Sequence, residues 1–385
     1  MRRVIGTDAF VAVTILLIVM LALVCAAFLN FSAKALTSML PFDRLELPAD
    51  QTLFRVAGGK VVIGGIASMS VIVITAVAPL MGWLYIKKKV AVWKCSLLAV
   101  AICAVSIVIG LFRPVAFPET VLLAGLTLTG QQVWMLLLSA YVLIAAGVPV
   151  WIFLQSRDFI NVHILYVGMA ALFVMLIVAG LRGAGVTDAI PAQNIAQGQT
   201  ALGPFWPMLF IVIACGAVSG FHSLCAGGTT CKQLTSEVAA RRIGYGGMLL
   251  ESFLAVCVIA VLMVGAAKTN YIHDVHPKLL HAGTAPNAVL GFAMAVGNTA
   301  KLAFGVPIAV GALAGMVLLE GFLVTTLDTA IRLTRYLIEE IWRVLFGQYD
   351  LFADQSLPAV ERSLVPAGAS GIPAAGDAKA PAAAT

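Results

Sequence analysis

"PFWPMLFIVIACGAVSGFHSLCAGGTTCKQL", Pro204 to Leu234, opens as an apolar run and then fills with glycines, hydroxyls and a histidine. A helix needs ~20 mainly apolar residues to cross the hydrocarbon core of a bilayer, and Phe205–Ala226 has that length. Each glycine inside a helix costs ~1 kcal/mol relative to alanine. The pair Gly227 and Gly228, followed by Thr229 and Thr230, therefore predicts a break, giving a discontinuous helix near 214–234. Two readings stand side by side. Unwound backbone and half-helix ends in transporters face a substrate or ion, and Ser219, His222, Thr229 and Thr230 would supply donors and acceptors. Alternatively, Gly216 and Gly220 form a GxxxG pair that only packs helices, and Gly227–Gly228 only cap the helix end.

Runs of the same length recur along the chain: Ala9–Leu29, Val61–Tyr85, Trp93–Leu111, Val133–Phe153, Val162–Leu181, Met248–Ala267 and Val306–Thr326. Ala285–Phe304 is weaker, with Gly291, Gly297 and Asn298 inside it. Apolar residues make up 61% of the 385 and charged residues 11%, against ~25% charged in soluble domains. Backbone in lipid must satisfy its own hydrogen bonds, which leaves helices as the spanning element. The fold class is all-α: a polytopic membrane helix bundle of about eight spanning helices plus one re-entrant segment.

The net charge of +6 lies between the apolar runs, with no basic patch interleaved with aromatics. It excludes nucleic acid as partner and fits the positive-inside rule. Arg2 and Arg3 in the cytoplasm place Lys87, Lys88, Lys89, Lys94, Arg157, Lys232, Arg241 and Arg242 there as well. Arg332, Arg335 and Arg343 join them if Ala285–Phe304 enters and returns, so the re-entrant reading is preferred. The first apolar run is too long for the ~7–15-residue core of a signal peptide and is read as a retained helix. The seven cysteines show no CxxC spacing and no disulfide framework.

Residues 30–60 and 182–204 read as outer connections. The Ala/Pro/Gly/Ser-rich stretch from Gln355 cannot bury enough apolar surface to offset its ordering entropy. The expected division is a membrane domain over 1–345 and a cytoplasmic, low-complexity, disordered tail over 346–385.

Two further stretches carry polar groups into apolar surroundings. In "LEGFLVTTLDTAIRLTRY", Leu319 to Tyr336, Asp328 and Arg332 are four apart and share a helix face, so they are expected to pair. Thr325, Thr326 and Thr329 lie nearby, and Glu320 lies deeper. An intramembrane carboxylate is a functional candidate by default, here for a proton or sodium ion; the other reading is an ion pair that anchors the helix end. In "GVPVWIFLQSRDFIN", Gly147 to Asn161, Pro149 is expected to kink the helix. Arg157 either takes a substrate carboxylate or pairs structurally with Asp158 and a neighbouring helix. Glu251 is another candidate, the other reading being a snorkelling or paired residue at the membrane edge. His273, His276 and His281 lack zinc-site spacing. No metal or cofactor is expected, and no nucleotide loop, nucleophile elbow or zinc-protease signature appears, so an enzyme is not expected.

The opening segment, with "GYGGMLLESFLAV" after it, resembles the hallmark segment of the carbon starvation protein A family. "YVLIAAGVPVWIFLQSRDFINVHILYVG" resembles that family's proline-kinked helix and Arg-Asp turn, and "LVTTLDTAIRLTRYLIEE" its Thr-Thr-Leu-Asp-Thr helix. The likeness covers most of residues 1–345. It implies a secondary transporter of the bacterial inner membrane with a discontinuous-helix core, taking up pyruvate or short peptides with proton entry. By motif, the candidate binding residues are Ser219, His222, Thr229 and Thr230; Arg157 and Asp158; and Thr325, Thr326, Asp328 and Arg332. Against the family pattern the chain reads as a short form, lacking helices before the first run and after the third motif. The second expectation is accordingly a membrane subunit that transports nothing alone and needs a partner chain to supply those helices.

Overall fold

The computed structural model describes residues 6–42, 45, 47, 54–57, 59–118, 120–123, 125–150, 152, 154–183, 204–217, 220–231, 234–265 and 287–346. Ser219, the loop histidines, most of the 182–204 connection and the tail beyond 346 lie outside the described residues. The chain divides into two units at Ile341/Trp342.

The elements run in order α1 (Thr7–Leu36), β1 (Leu40–Pro41), β2 (Val56–Ala57), β3 (Lys60–Val61), α2 (Ile63–Gly82), α3 (Val92–Phe112), β4 (Thr120–Leu123), β5 (Leu126–Thr129), α4 (Gly130–Gly147), α5 (Leu154–Leu181), α6 (Phe205–Ala217), α7 (Gly220–Cys225), α8 (Glu237–Gly265), α9 (Ala288–Phe304) and α10 (Ile308–Leu345). Among the described residues, eight helical segments are long and apolar enough to cross a membrane, α6 and α7 counting as one. The chain is a multi-pass membrane helix bundle, as its composition predicts. The short antiparallel pairings β1–β3, β2–β3 and β4–β5 fall in the connections between helices.

Local chemistry sets the helix ends. Thr129 caps α4 with a reciprocal capping box to Gln132. α4 then stops at Gly147, because Val148 is extended ahead of a proline. Pro149 thus separates two helices where a kink in one was expected. The consequence is positional: Arg157 and Asp158 fall at the start of α5, not at the end of the preceding helix.

The segment expected to re-enter is one unbroken 17-residue helix, α9, about 25 Å long at ~1.5 Å per residue. It ends at Gly305, whose φ of 69° suits glycine, and α10 folds back on it. A side chain at Gly297 would put its Cβ 2.6 Å from the Ile308 carbonyl oxygen, so glycine lets the two backbones touch. In lipid such close packing, not hydrophobic exclusion, holds helices together. Asn298 also donates to the carbonyl of Gly265, the last residue of α8, at 2.7 Å. The end of α8 and the start of α10 therefore meet the same turn of α9.

At the opposite end of the helices, Tyr85 stacks on Phe159 at 5.4 Å, and α5 and α10 run antiparallel, with Arg157 on Asp328, Asn161 on Thr325 and Gly168 against Leu318. The lysine-rich turn after α2, the start of α5 and Arg332 of α10 consequently share one end.

Candidate functional site

Three helices bring a polar seam into an apolar interior. α5 contributes Arg157 and Asn161 from its first two turns, α4 contributes Tyr141, and α10 contributes Thr325 and Asp328. Arg157 is 2% exposed and Asp328 3%. Arg157 Nη1 donates to Asp328 Oδ2 at 2.6 Å and to the Tyr141 hydroxyl at 2.6 Å. Its Nη2 donates to Thr325 Oγ1 at 2.9 Å, which also accepts from Asn161 at 3.1 Å. The Tyr141 hydroxyl in turn donates to Asp328 Oδ2 at 3.0 Å. One carboxylate oxygen thus takes both bonds, while Asp328 Oδ1 has no partner.

This corrects the pairing expected from spacing. Arg332, four residues after Asp328, turns away and donates to the carbonyls of Ala145 and Val148 at 2.5 and 3.0 Å. Arg335 reaches Ala146 O at 2.6 Å. The last carbonyls of a helix lack intrahelical partners, and the break at Pro149 leaves those of α4 open to these arginines. Asp328 is left for Arg157, which arrives across the helix interface. Asp158 is not a hydrogen-bond partner of Arg157; it interacts with the Thr325 hydroxyl, and its Oδ1 is unpartnered. Thr326 is half-buried and bonds back to Phe322 O at 2.8 Å, and Thr329 bonds back to Thr325 O at 3.1 Å.

A pocket of about 180 Å³ opens beside the seam between α5 and α10, lined by Asp158, Asn161, Thr325, Leu318 and Phe322 among others. That is well above the ~10–15 Å³ of such space that a single water needs.

The glycine-rich stretch is arranged differently. α7 widens into a π-helical turn over Ala226–Thr230 instead of unwinding. His222 meets Glu251 of α8 at 3.2 Å, with more than half of each side chain exposed. Gly228 lies against Leu333 of α10, one turn beyond the seam. Among the described residues, no hydrogen bond links this stretch to the Arg157–Asp328 pair. Tyr141 and Asn161 belong to the seam but are not among the residues the sequence singles out: Tyr141 lies in the apolar run of α4, and Asn161 is an uncharged neighbour of Arg157 and Asp158 that fits no pairing rule.

Residues 1–290 match the family model "Carbon starvation protein CstA". The chain belongs to this family. It is 37% identical over 163 residues to the "Peptide transporter CstA" of Escherichia coli K12, covering 42% of this chain and 21% of that protein. To the "Pyruvate/proton symporter BtsT" of the same organism it is 37% identical over 165 residues, 41% of this chain and 20% of the relative. The "Peptide transporter CstA" of Mycobacterium tuberculosis H37Rv is 36% identical over 162 residues, 41% and 21% of the two chains. This chain thus spans about a fifth of the length of the curated relatives it matches. No solved structure matches it. Arg157 lies inside the family match and Asp328 beyond it.

Proposed function

We propose that this carbon starvation family member is a secondary active transporter, coupling inward proton movement to uptake of pyruvate or short peptides, with no covalent chemistry of its own. The observation that carries this reading is the buried Arg157–Asp328 pair, held through one carboxylate oxygen beside a pocket of small-molecule size. Guanidinium binds carboxylates bidentately, and Arg157 spends only one Nη on Asp328. A substrate carboxylate is an alternative partner for it. Protonating Asp328 weakens the internal pair and frees Arg157 for substrate, which links one proton to one anion. A carrier needs such a group, charged in one state and neutral in another. The names of the relatives, a peptide transporter and a pyruvate/proton symporter, support the same substrate classes.

Proteoliposomes holding the purified chain test the reading. Labelled pyruvate or a labelled dipeptide is expected to accumulate under an inward proton gradient and to leak back when a protonophore is added. Asp328→Asn mimics the protonated form, and it is expected to abolish accumulation while retaining exchange of substrate across the membrane. Uptake that ignores the gradient, or accumulation that survives Asp328→Asn, refutes the coupling role.

A further inference from the structure

Glu320 lies on α10 eight residues before Asp328, about 12 Å along the axis at ~1.5 Å per residue. It is 1% exposed, and neither carboxyl oxygen has a hydrogen-bond partner. It lines a cavity of about 20 Å³ between α2, α5 and α10, together with Ser70, Ile74, Arg157, Asn161 and Val324. A cavity of that size admits a water molecule and little else. The same guanidinium that holds Asp328 thus also borders the cavity of a second, unpartnered carboxyl.

The surrounding charges are few. α2 contributes Ser70 and no ionisable group to the cavity, α5 contributes Arg157, with Asp158 next to it, α4 contributes Tyr141 beyond Arg157, and α10 carries Asp328 and Arg332 further along. An ionised carboxylate with no partner is costly to bury. One guanidinium compensates one carboxylate, and here it is bonded to Asp328. A metal ion is not the fitting occupant: Arg157 puts a positive charge on the cavity, and the lining offers fewer oxygens than the six or more of a calcium or magnesium site.

We propose that Glu320 and Asp328 share a single proton across Arg157: Glu320 holds it while Asp328 pairs with the guanidinium, and becomes the counterion of Arg157 when Asp328 lets go. In that exchange the Glu320 O–H bond breaks and its proton passes to solvent by way of a water admitted to the cavity, while a proton taken up from solvent forms an O–H bond on Asp328 as its contact with Arg157 opens. The trio is neutral before and after. Its role in coupling rests on the transport reading above; the shared proton itself does not.

The test is infrared spectroscopy of the full chain in lipid nanodiscs, following the C=O band of protonated carboxyls in H2O and D2O. Subtracting the spectrum of Glu320→Gln from wild type isolates Glu320, with Glu320→Leu as a second uncharged replacement should the first assemble poorly. The expected result is a Glu320 band in wild type that disappears in Asp328→Asn, where Glu320 ionises to pair with Arg157. No Glu320 band in wild type overturns the proposal. So does a band that persists in Asp328→Asn, which marks an isolated buried acid. A chain that shows the expected pattern but accumulates neither pyruvate nor dipeptide keeps the shared proton and loses the transport reading. Gradient-driven accumulation with a persistent Glu320 band does the opposite.

Discussion

The seam of α4, α5 and α10 and the strip of α6, α7 and the following π-turn are built from similar residue types and end up in opposite environments. The most apolar stretch of α10 has 61% of its residues buried, and that of α6–α7 none. In the strip, glycines and hydroxyls follow one another along a single helix. In the seam, Tyr141 of α4 and Thr325 and Asp328 of α10 all bond one guanidinium from α5. What makes the seam a site is convergence, which multiplies the effect of each charge in a dry interior; flexibility of composition alone does not produce it.

The largest effect that sharpens this contrast is expected at Arg157. Arg157→Met strands the Asp328 carboxylate, and removing one partner of a buried pair costs about 3–5 kcal/mol. Thermal unfolding in detergent is expected to show a large drop in Tm for Arg157→Met. Arg157→Met with Asp328→Leu recovers most of it, because two apolar side chains replace the pair. A single variant as stable as wild type would mean that the seam is solvated and the contrast false.

Asp158→Asn tests substrate class. Asp158 borders the pocket with an unpartnered oxygen, a fit for the ammonium group of a peptide, which pyruvate lacks. Dipeptide uptake is expected to fall about tenfold or more, the loss of a charge-assisted hydrogen bond of ~1.5–3 kcal/mol, with pyruvate uptake unchanged. Equal losses for both would assign Asp158 to structure.

In the strip, replacing Gly227 and Gly228 together by alanine gains up to ~2 kcal/mol of helix propensity. At Gly228 part of that gain is offset, since a Cβ there meets the end of the Leu333 side chain. Hydrogen exchange is expected to slow over Ala226–Thr230 with little change in uptake. Loss of uptake with normal insertion would promote the strip to the level of the seam. The smallest effect belongs to Glu251→Gln. Exposed pairs contribute within about 1 kcal/mol, so its Tm is expected to stay within error of wild type.

Much of the fold was legible because lipid imposes one rule on every span. Run length located the eight segments long and apolar enough to span, and α9 was singled out as short and glycine-containing. Boundaries moved where a local conflict had to be settled, as at Pro149, which separates α4 from α5 and so shifts Arg157 to a helix start. The site was legible in its members but not in its pairing. Asp328 and Arg332 satisfy the helical spacing rule, yet the partner of Asp328 is 171 residues away in sequence, and nothing local distinguishes it. Tyr141 was invisible for the same reason: it is one polar residue in an apolar run, given meaning only by what crosses it, and Asn161 was overshadowed by the charged pair beside it.

The grip of α10 on the end of α4 bears on how the chain comes to be made. Arg332 follows the carbonyl it caps at Val148 by 184 residues. At ~5–20 residues per second of synthesis, α4 and α5 wait about 10–40 s for α10 to emerge. During that interval Arg157 has no Asp328, and the carbonyls of Ala145, Ala146 and Val148 have no arginines. Its place in the first turn of α5 lets Arg157 reach toward water at the membrane edge meanwhile. The seam is then a late closure, drawn inward only when the last long helix arrives, and the early helices must be tolerated by the membrane in a half-finished, more hydrated arrangement.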